Sequence, residues 1–178
     1  MTLLKIARMG HPVLRQVAKP VADPKAPEIK RLVRDMLETM DDASGTGLAA
    51  PQVHVPLRLV VFFISPNPDL PDGLPLTVLI NPEITPLSEA KVLGWEGCLS
   101  VPDLAGEVPR YSEIRYRGFD LEGNPIEREA RGYHARVVQH EVDHLDGILY
   151  PQRMEDLSQL IFASEMRHQV TEEEGDGT

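Results

Sequence analysis

The segment His140-Glu141-Val142-Asp143-His144 brings two imidazoles and a carboxylate to the spacing that a helical metal-hydrolase site requires. Residues four apart share one face of an α-helix, so both histidines can ligate one ion while the carboxylate reaches its bound water. With roughly 100° per residue and His140 as origin, Tyr133, Val137, Ile148, His134, Leu145, Val138 and Leu149 fall in an arc from roughly 20° to 180°. Gln139, Asp143, Asp146 and Arg136 fall opposite. Glu141 lies near roughly 100°, amid the apolar arc, whereas Asp143 is expected to face solvent. The same pattern arises in helices that bind nothing, but there the acid belongs on the polar face. A carboxylate on the burying face needs a partner or a function.

Two histidines leave such a site unfinished, because catalytic zinc or iron(II) sites usually take three protein ligands and keep one position open. No histidine follows His144 before His168, so the third ligand must come from elsewhere. Cys98, the chain's only cysteine, lies in Trp95-Glu96-Gly97-Cys98-Leu99-Ser100, where Gly97 lets a backbone approach closely. A single cysteine is often a small buried apolar residue; beside the histidine pair it is the better candidate for a thiolate ligand. A further segment, Gly45-Thr46-Gly47-Leu48-Ala49-Ala50-Pro51-Gln52, ends in one amide side chain. Alone it reads as a flexible turn or a phosphate loop, but it lacks the Gly-Lys-Ser/Thr ending of the latter.

Together these segments resemble the peptide deformylases, whose motifs are a GxGLAAxQ loop, an EGCLS turn and an HExDH helix. All three stand intact and in order, as Gly45 to Gln52, Glu96 to Ser100 and His140 to His144. Ile6 to Arg15 is similar to the family's N-terminal segment, so the resemblance covers residues 4 to 168. It implies Cys98, His140 and His144 as ligands of one divalent metal ion, natively iron(II), with zinc, nickel or cobalt as substitutes. It implies Glu141 as the acid/base, and Gln52 with the backbone N–H of Leu99 as donors to the oxyanion. The implied substrate is the N-formyl-methionine end of a newly made polypeptide, with formate released. An extended peptide end suits addition to a sheet edge, and Gly47 and Gly97 are nominated for its backbone. Tyr133 and Val137 are nominated for the methionine pocket from the helical arc, with ordinary core as the alternative. A related metal hydrolase acting on another formyl or peptide amide, and a metal-free binding module, stay open as other readings.

Departures from the family pattern are Thr46, His54 and Ala105, the last at a position where many bacterial members carry arginine. Contacts beyond methionine are therefore not carried over. His11, His54, His134 and His168 are expected to be structural or solvated, and Trp95 to be a packing residue. Some members dock on the ribosome through a basic C-terminal helix. Here Glu155, Asp156, Glu165, Glu172, Glu173, Glu174 and Asp176 face Arg167 alone, which opposes docking on RNA phosphates by that route.

Composition agrees with one catalytic domain over residues 1–170 and an acidic tail over 171–178. The 178 residues, 42% hydrophobic and 26% charged, are ordinary for a soluble globule. One cysteine excludes an internal disulfide framework, and a net charge of -10 argues against direct nucleic-acid binding. The N-terminal segment offers no apolar run for a secretory signal, and no stretch approaches the roughly 20 apolar residues of a membrane span, so the default location is cytoplasmic.

The elements that must position these residues read as α+β, and the resemblance implies antiparallel sheets packed around the central metal-binding helix. A helix is expected over 26–42 from Ile29, Leu32, Val33, Met36, Leu37 and Met40. Strands are expected over 57–64, 77–80, 113–120 and 126–131, with a proline-rich loop over 65–75 and a turn at Leu121 to Asn124. The metal helix is expected over 132–147, ended by Gly147, and a last helix over 155–169.

Overall fold

The computed structural model describes residues 3–168. Residues 169–178, and with them the tail expected over 171–178, lie outside the described residues. Helix α1 spans Pro27–Asp42, with proline at its start and Glu28 in its first turn, both suited to a helix N-terminus. Its buried residues Ile29, Val33, Met36 and Met40 recur at three- and four-residue intervals and so form one stripe. Each such side chain contributes about 1.5–3 kcal/mol by leaving water.

Strands β1 (Gly47–Ala49), β2 (Leu59–Ile64) and β3 (Leu74–Pro86) are followed by β4 (Lys91–Val92), β5 (Trp95–Cys98), β6 (Val101–Glu107) and β7 (Arg110–Tyr111). Strands β8 (Glu113–Phe119) and β9 (Pro125–Arg131) lead into helix α2 (Gly132–Leu145), and β10 (Leu160–Phe162) comes last. All ladders are antiparallel. The strands form a five-stranded sheet in the order β1-β2-β3-β8-β9, a three-stranded sheet in the order β10-β6-β5, and a β4-β7 pair. The architecture is α+β.

Strand β2 shows why the helices sit where they do. Its sequence, Leu59-Val60-Val61-Phe62-Phe63-Ile64, is apolar throughout, so both faces of the strand must be covered. Val60, Phe62 and Ile64 join a core with Val138, Val142 and Leu145 of α2. Leu59 and Val61 point the other way, to Ile29, Val33 and Met36 of α1. The sheet is thus held between α1 and α2, and β1 at its edge is packed against α2.

Two expected elements differ. The strand expected over 77–80 extends from Leu74 to Pro86, because Asn81, at φ 51°, and Pro82 are absorbed in a register shift between Ile80 and Glu83. The helix expected over 155–169 does not form among the described residues. Leu157–Gln159 is a 3-10 turn, Leu160–Phe162 is β10, and Ala163–His168 is again 3-10. The open edge of β6 offers Leu104, Ala105 and Gly106 as pairing partners to Phe162, Ile161 and Leu160, and this ladder replaces helix formation. Ala105 is consequently buried, and a Cβ at Gly106 would stand 2.9 Å from Tyr150 Cε2. Helix α2 ends as expected, with Gly147 at φ 73°.

Candidate active site

Three segments far apart in sequence converge beside α2. The terminal strand β5 carries Glu96 and Cys98, the 3-10 turn Ala50–Val53 carries Gln52, and α2 carries His140, Glu141 and His144. Ligand-capable atoms of Cys98, His140 and His144 all lie within 4.8 Å of one another. Cys98 Sγ is 3.4 Å from His144 Nε2. His140 Nδ1 pairs with Glu96 Oε2 at 2.8 Å, which places its proton on that nitrogen and leaves Nε2 for a ligand bond.

The donor set fits a divalent cation. Burial opposes charge on His140, yet Cys98 and Glu96 hold its pKa well above the ordinary value. Burial and neighbouring His140 push His144 well below it. Two imidazoles one turn apart therefore favour opposite charge states around one thiol, and one thiolate with two neutral imidazoles about a cation reconciles them. Glu141 Oε2 and His144 Nδ1 are buried with no hydrogen-bond partner.

Glu141 is 5% exposed, and burial pushes its carboxyl up to about 7. A Cβ at Gly47 would run into the Glu141 carboxylate, so glycine there is what lets β1 lie against the acid. Gln52 is fixed at both ends of its amide. Its Oε1 accepts from Ala49 N–H at 2.8 Å, so Nε2 faces Ser100 Oγ at 3.1 Å and Cys98 Sγ at 3.6 Å. Leu99 follows directly on Cys98 and lines the same cavity.

That cavity has a volume of about 530 Å³ and is lined by Gly47, Gly97, Tyr133, Val137, His140 and Glu141 among others. Tyr133 is 44% exposed at its rim and Val137 is buried. A Cβ at Gly97 would meet only Leu104 O, at 3.8 Å, so the space over that backbone stays open. Trp95 also lines the cavity. His134 is buried against Tyr116, as a structural histidine. His11 and His54 are exposed, with rings edge to face at 4.7 Å.

Asp143 does not face solvent as the helical arc predicts; it is 7% exposed. Its carboxylate accepts from Arg110 Nη1 and from both Nε and Nη2 of Arg153. Gln139 is buried too, with its amide bridging the backbone N–H and C=O of Tyr111. The polar face of α2 is covered by β7 rather than by water, a tertiary arrangement invisible to a wheel that assumes solvent opposite the core. Arg110, with no role read from sequence, also clamps Glu96 with Nε and Nη2 at 2.8 and 3.0 Å. Burial alone raises the Glu96 pKa, but Arg110 and His140 overcome it and bring it to about 2. The sequence signal for this carboxylate was its position two residues before Cys98 in a segment otherwise apolar or small.

Residues 3–160 match the family model for polypeptide deformylase. Peptide deformylase 2 of Ralstonia nicotianae is 55% identical over 159 residues, covering 88% of this chain and 90% of that protein. Peptide deformylase 1 of Bordetella pertussis is 56% identical, covering 86% and 88%. The class I type b peptide deformylase of Acinetobacter baumannii, solved with Met-Ala-Ser bound, superimposes with a TM-score of 0.79 at 39% identity, covering 86% and 99%. The peptide deformylase of Thermotoga maritima gives 0.80 at 36%, covering 88% and 100%. With the three motifs gathered about one cavity and these likenesses spanning most of its length, the chain belongs to the peptide deformylase family and is an enzyme of that kind.

Proposed function

We propose that Glu141 drives removal of the formyl group from N-formyl-methionyl polypeptides at a metal held by Cys98, His140 and His144. The observation that carries this is the gathering of those three donors within 4.8 Å beside the buried carboxylate of Glu141, whose Oε2 has no hydrogen-bond partner. A divalent ion bound there lowers the pKa of a water and polarises the formyl oxygen. The resemblance to the family gives iron(II) as the native ion, and one thiolate with two imidazoles also suits zinc, nickel or cobalt as substitutes.

Glu141 accepts the proton of the attacking water and delivers it to the departing amine nitrogen as formate leaves. Burial without a hydrogen-bond partner on Oε2 raises the carboxyl above the ordinary range, which favours its acting in both directions. Gln52 Nε2, aimed toward Cys98, and the Leu99 N–H serve as donors to the oxyanion. Both are set before reaction begins, Gln52 by its bond from Ala49 N–H. Glu96 acts through His140 by fixing the tautomer of its ring.

Strands β1 and β5 are each the last strand of a sheet and both line the cavity, so an extended peptide can bond to the backbone near Gly47 and Gly97. Its first side chain then enters the part lined by Tyr133 and Val137. The Met-Ala-Ser bound to the Acinetobacter baumannii relative supports a peptide that begins with methionine.

The test is formate release from formyl-Met-Ala-Ser by protein loaded with iron(II) under anaerobic conditions, or with nickel in air. Rapid release by both, lost on chelation and regained with metal, is expected. Fully metallated protein that releases none overturns the reading.

A further inference from the structure

Arg136 is placed on the polar side of α2 by its spacing, yet its side chain is only 11% exposed and it lines the substrate cavity. Its Nη1 donates to Gly94 O at 3.1 Å, Val108 O at 2.7 Å and Glu96 Oε1 at 2.9 Å, and Nη2 donates to Val92 O at 2.7 Å. One planar fork thus spans three backbone carbonyls and the carboxylate that holds His140.

Two of the carbonyls belong to the 92–94 segment, which is otherwise held by backbone pairing, Val92 with Arg110 and Gly94 with Val108. Val92 and Leu93 are 56% and 55% exposed, so the turn between β4 and β5 gains little from apolar burial. Gly94 pairs with Val108 through both backbone bonds, and Arg136 bonds to the carbonyls of that same pair. A Cβ at Gly94 would stand 2.7 Å from Arg136 Nη2 and 2.8 Å from Cζ, so the absence of a side chain there leaves room for the guanidinium. Lysine cannot replace this arrangement, because a single ammonium does not present a planar fork to four separated acceptors.

We propose that Arg136 is the specificity-determining residue of the side-chain pocket: itself part of the cavity lining beside Tyr133 and Val137, and held in place across Gly94, it sets the room left for the first side chain. This rests on the deformylase reading above and goes beyond it in naming the residue that limits the pocket. Arg136 is a positioning residue toward Glu96, which Arg110 still clamps in its absence. Its loss therefore acts on substrate fit more than on the chemical step.

The measurement is kcat and KM for formyl-Met-Ala-Ser and formyl-Phe-Ala-Ser with nickel-loaded wild type, R136M, R136K and G94A, metal content being assayed in each. For R136M we expect KM for the methionine peptide to rise about tenfold with a smaller fall in kcat, and the preference for methionine over phenylalanine to narrow about tenfold. R136K should lose the preference as R136M does, although it keeps a cation beside Glu96. G94A reaches the same contact from the opposite side with one added methyl and should move KM and preference in the same direction, which decides the matter if R136M does not fold. Unchanged preference in metallated R136K and G94A overturns the inference. Wild-type protein inactive on both peptides overturns the deformylase reading instead.

Discussion

Glu141 and Asp143 are two acids on one helix, two residues apart and 5% and 7% exposed, and their surroundings differ in nearly every respect. Asp143 lies behind α2, where Arg110 and Arg153 supply its hydrogen bonds. Glu141 lies in front, against Gly47 and the cavity, with its Oε2 lacking any partner. Burial with cationic partners makes a carboxylate a fixed part of the fold; burial without them lifts the pKa into the range where a proton can come and go. On the proposed function, helix α2 thus separates a structural acid from a reactive one, and Arg110 joins the two sides by holding both Asp143 and Glu96.

The sharpest way to break this division is Glu141→Gln. Turnover should fall by about 10²- to 10⁴-fold, the contribution of a positioned acid/base, while metal content stays at the wild-type level. Stopped formate release with retained metal supports the role; near-normal release by metallated protein removes it. Asp143→Asn should do the reverse. It removes the charge that offsets buried Arg110, and breaking a buried pair costs about 3–5 kcal/mol. Because Glu96 still pairs with Arg110, the lower end of about 3 kcal/mol is expected, a fall in melting temperature of roughly 6–12 °C for a chain of this size. Turnover of the folded fraction should change by less than about tenfold, well short of the acid/base effect. Loss of turnover at unchanged melting temperature would place Asp143 on the reactive side.

The residues gathered at the proposed reactive side were legible in the sequence, and those of the supporting side were not. His140, Glu141 and His144 announce themselves by helical spacing, and Cys98 and Gln52 by the company of small residues and glycines that permit close approach. Helix α1 and strand β2 were legible for a similar reason: each is a local apolar pattern with a single period. Arg110, Arg136 and Arg153 carry no such pattern, since each acts through a partner brought near only by tertiary contact. The same holds at the C-terminal end, where Leu160 and Ile161 fit a helical stripe as well as a short strand. The choice there falls to the open edge of β6, which lies more than fifty residues earlier in the chain.

His134, another buried titratable residue of α2, extends the comparison to packing alone. Its Nε2 lies 3.2 Å from Tyr116 OH, with Phe62 beside both rings, and it takes no part in the chemistry assigned above. Burial, with Arg128 adding to it, lowers its pKa from 6.5 to about 4. The unfolded chain therefore binds a proton near pH 6.5 that the folded chain refuses until about pH 4. Between these values the unfolded state holds more protons, so stability falls as pH falls and the full contribution of His134 is present only above pH 6.5. His134→Gln retains a hydrogen-bonding amide but no titratable ring. Its melting temperature should be lower than wild type at pH 7.5, from poorer packing, and the gap should narrow as pH is lowered toward 4. The measurement is a series of melting curves at fixed ionic strength for nickel-loaded wild type and variant, with metal retention checked at each pH. Parallel curves across that range would show that His134 stays uncoupled from acid unfolding, and that the acid sensitivity of α2 resides elsewhere on the helix.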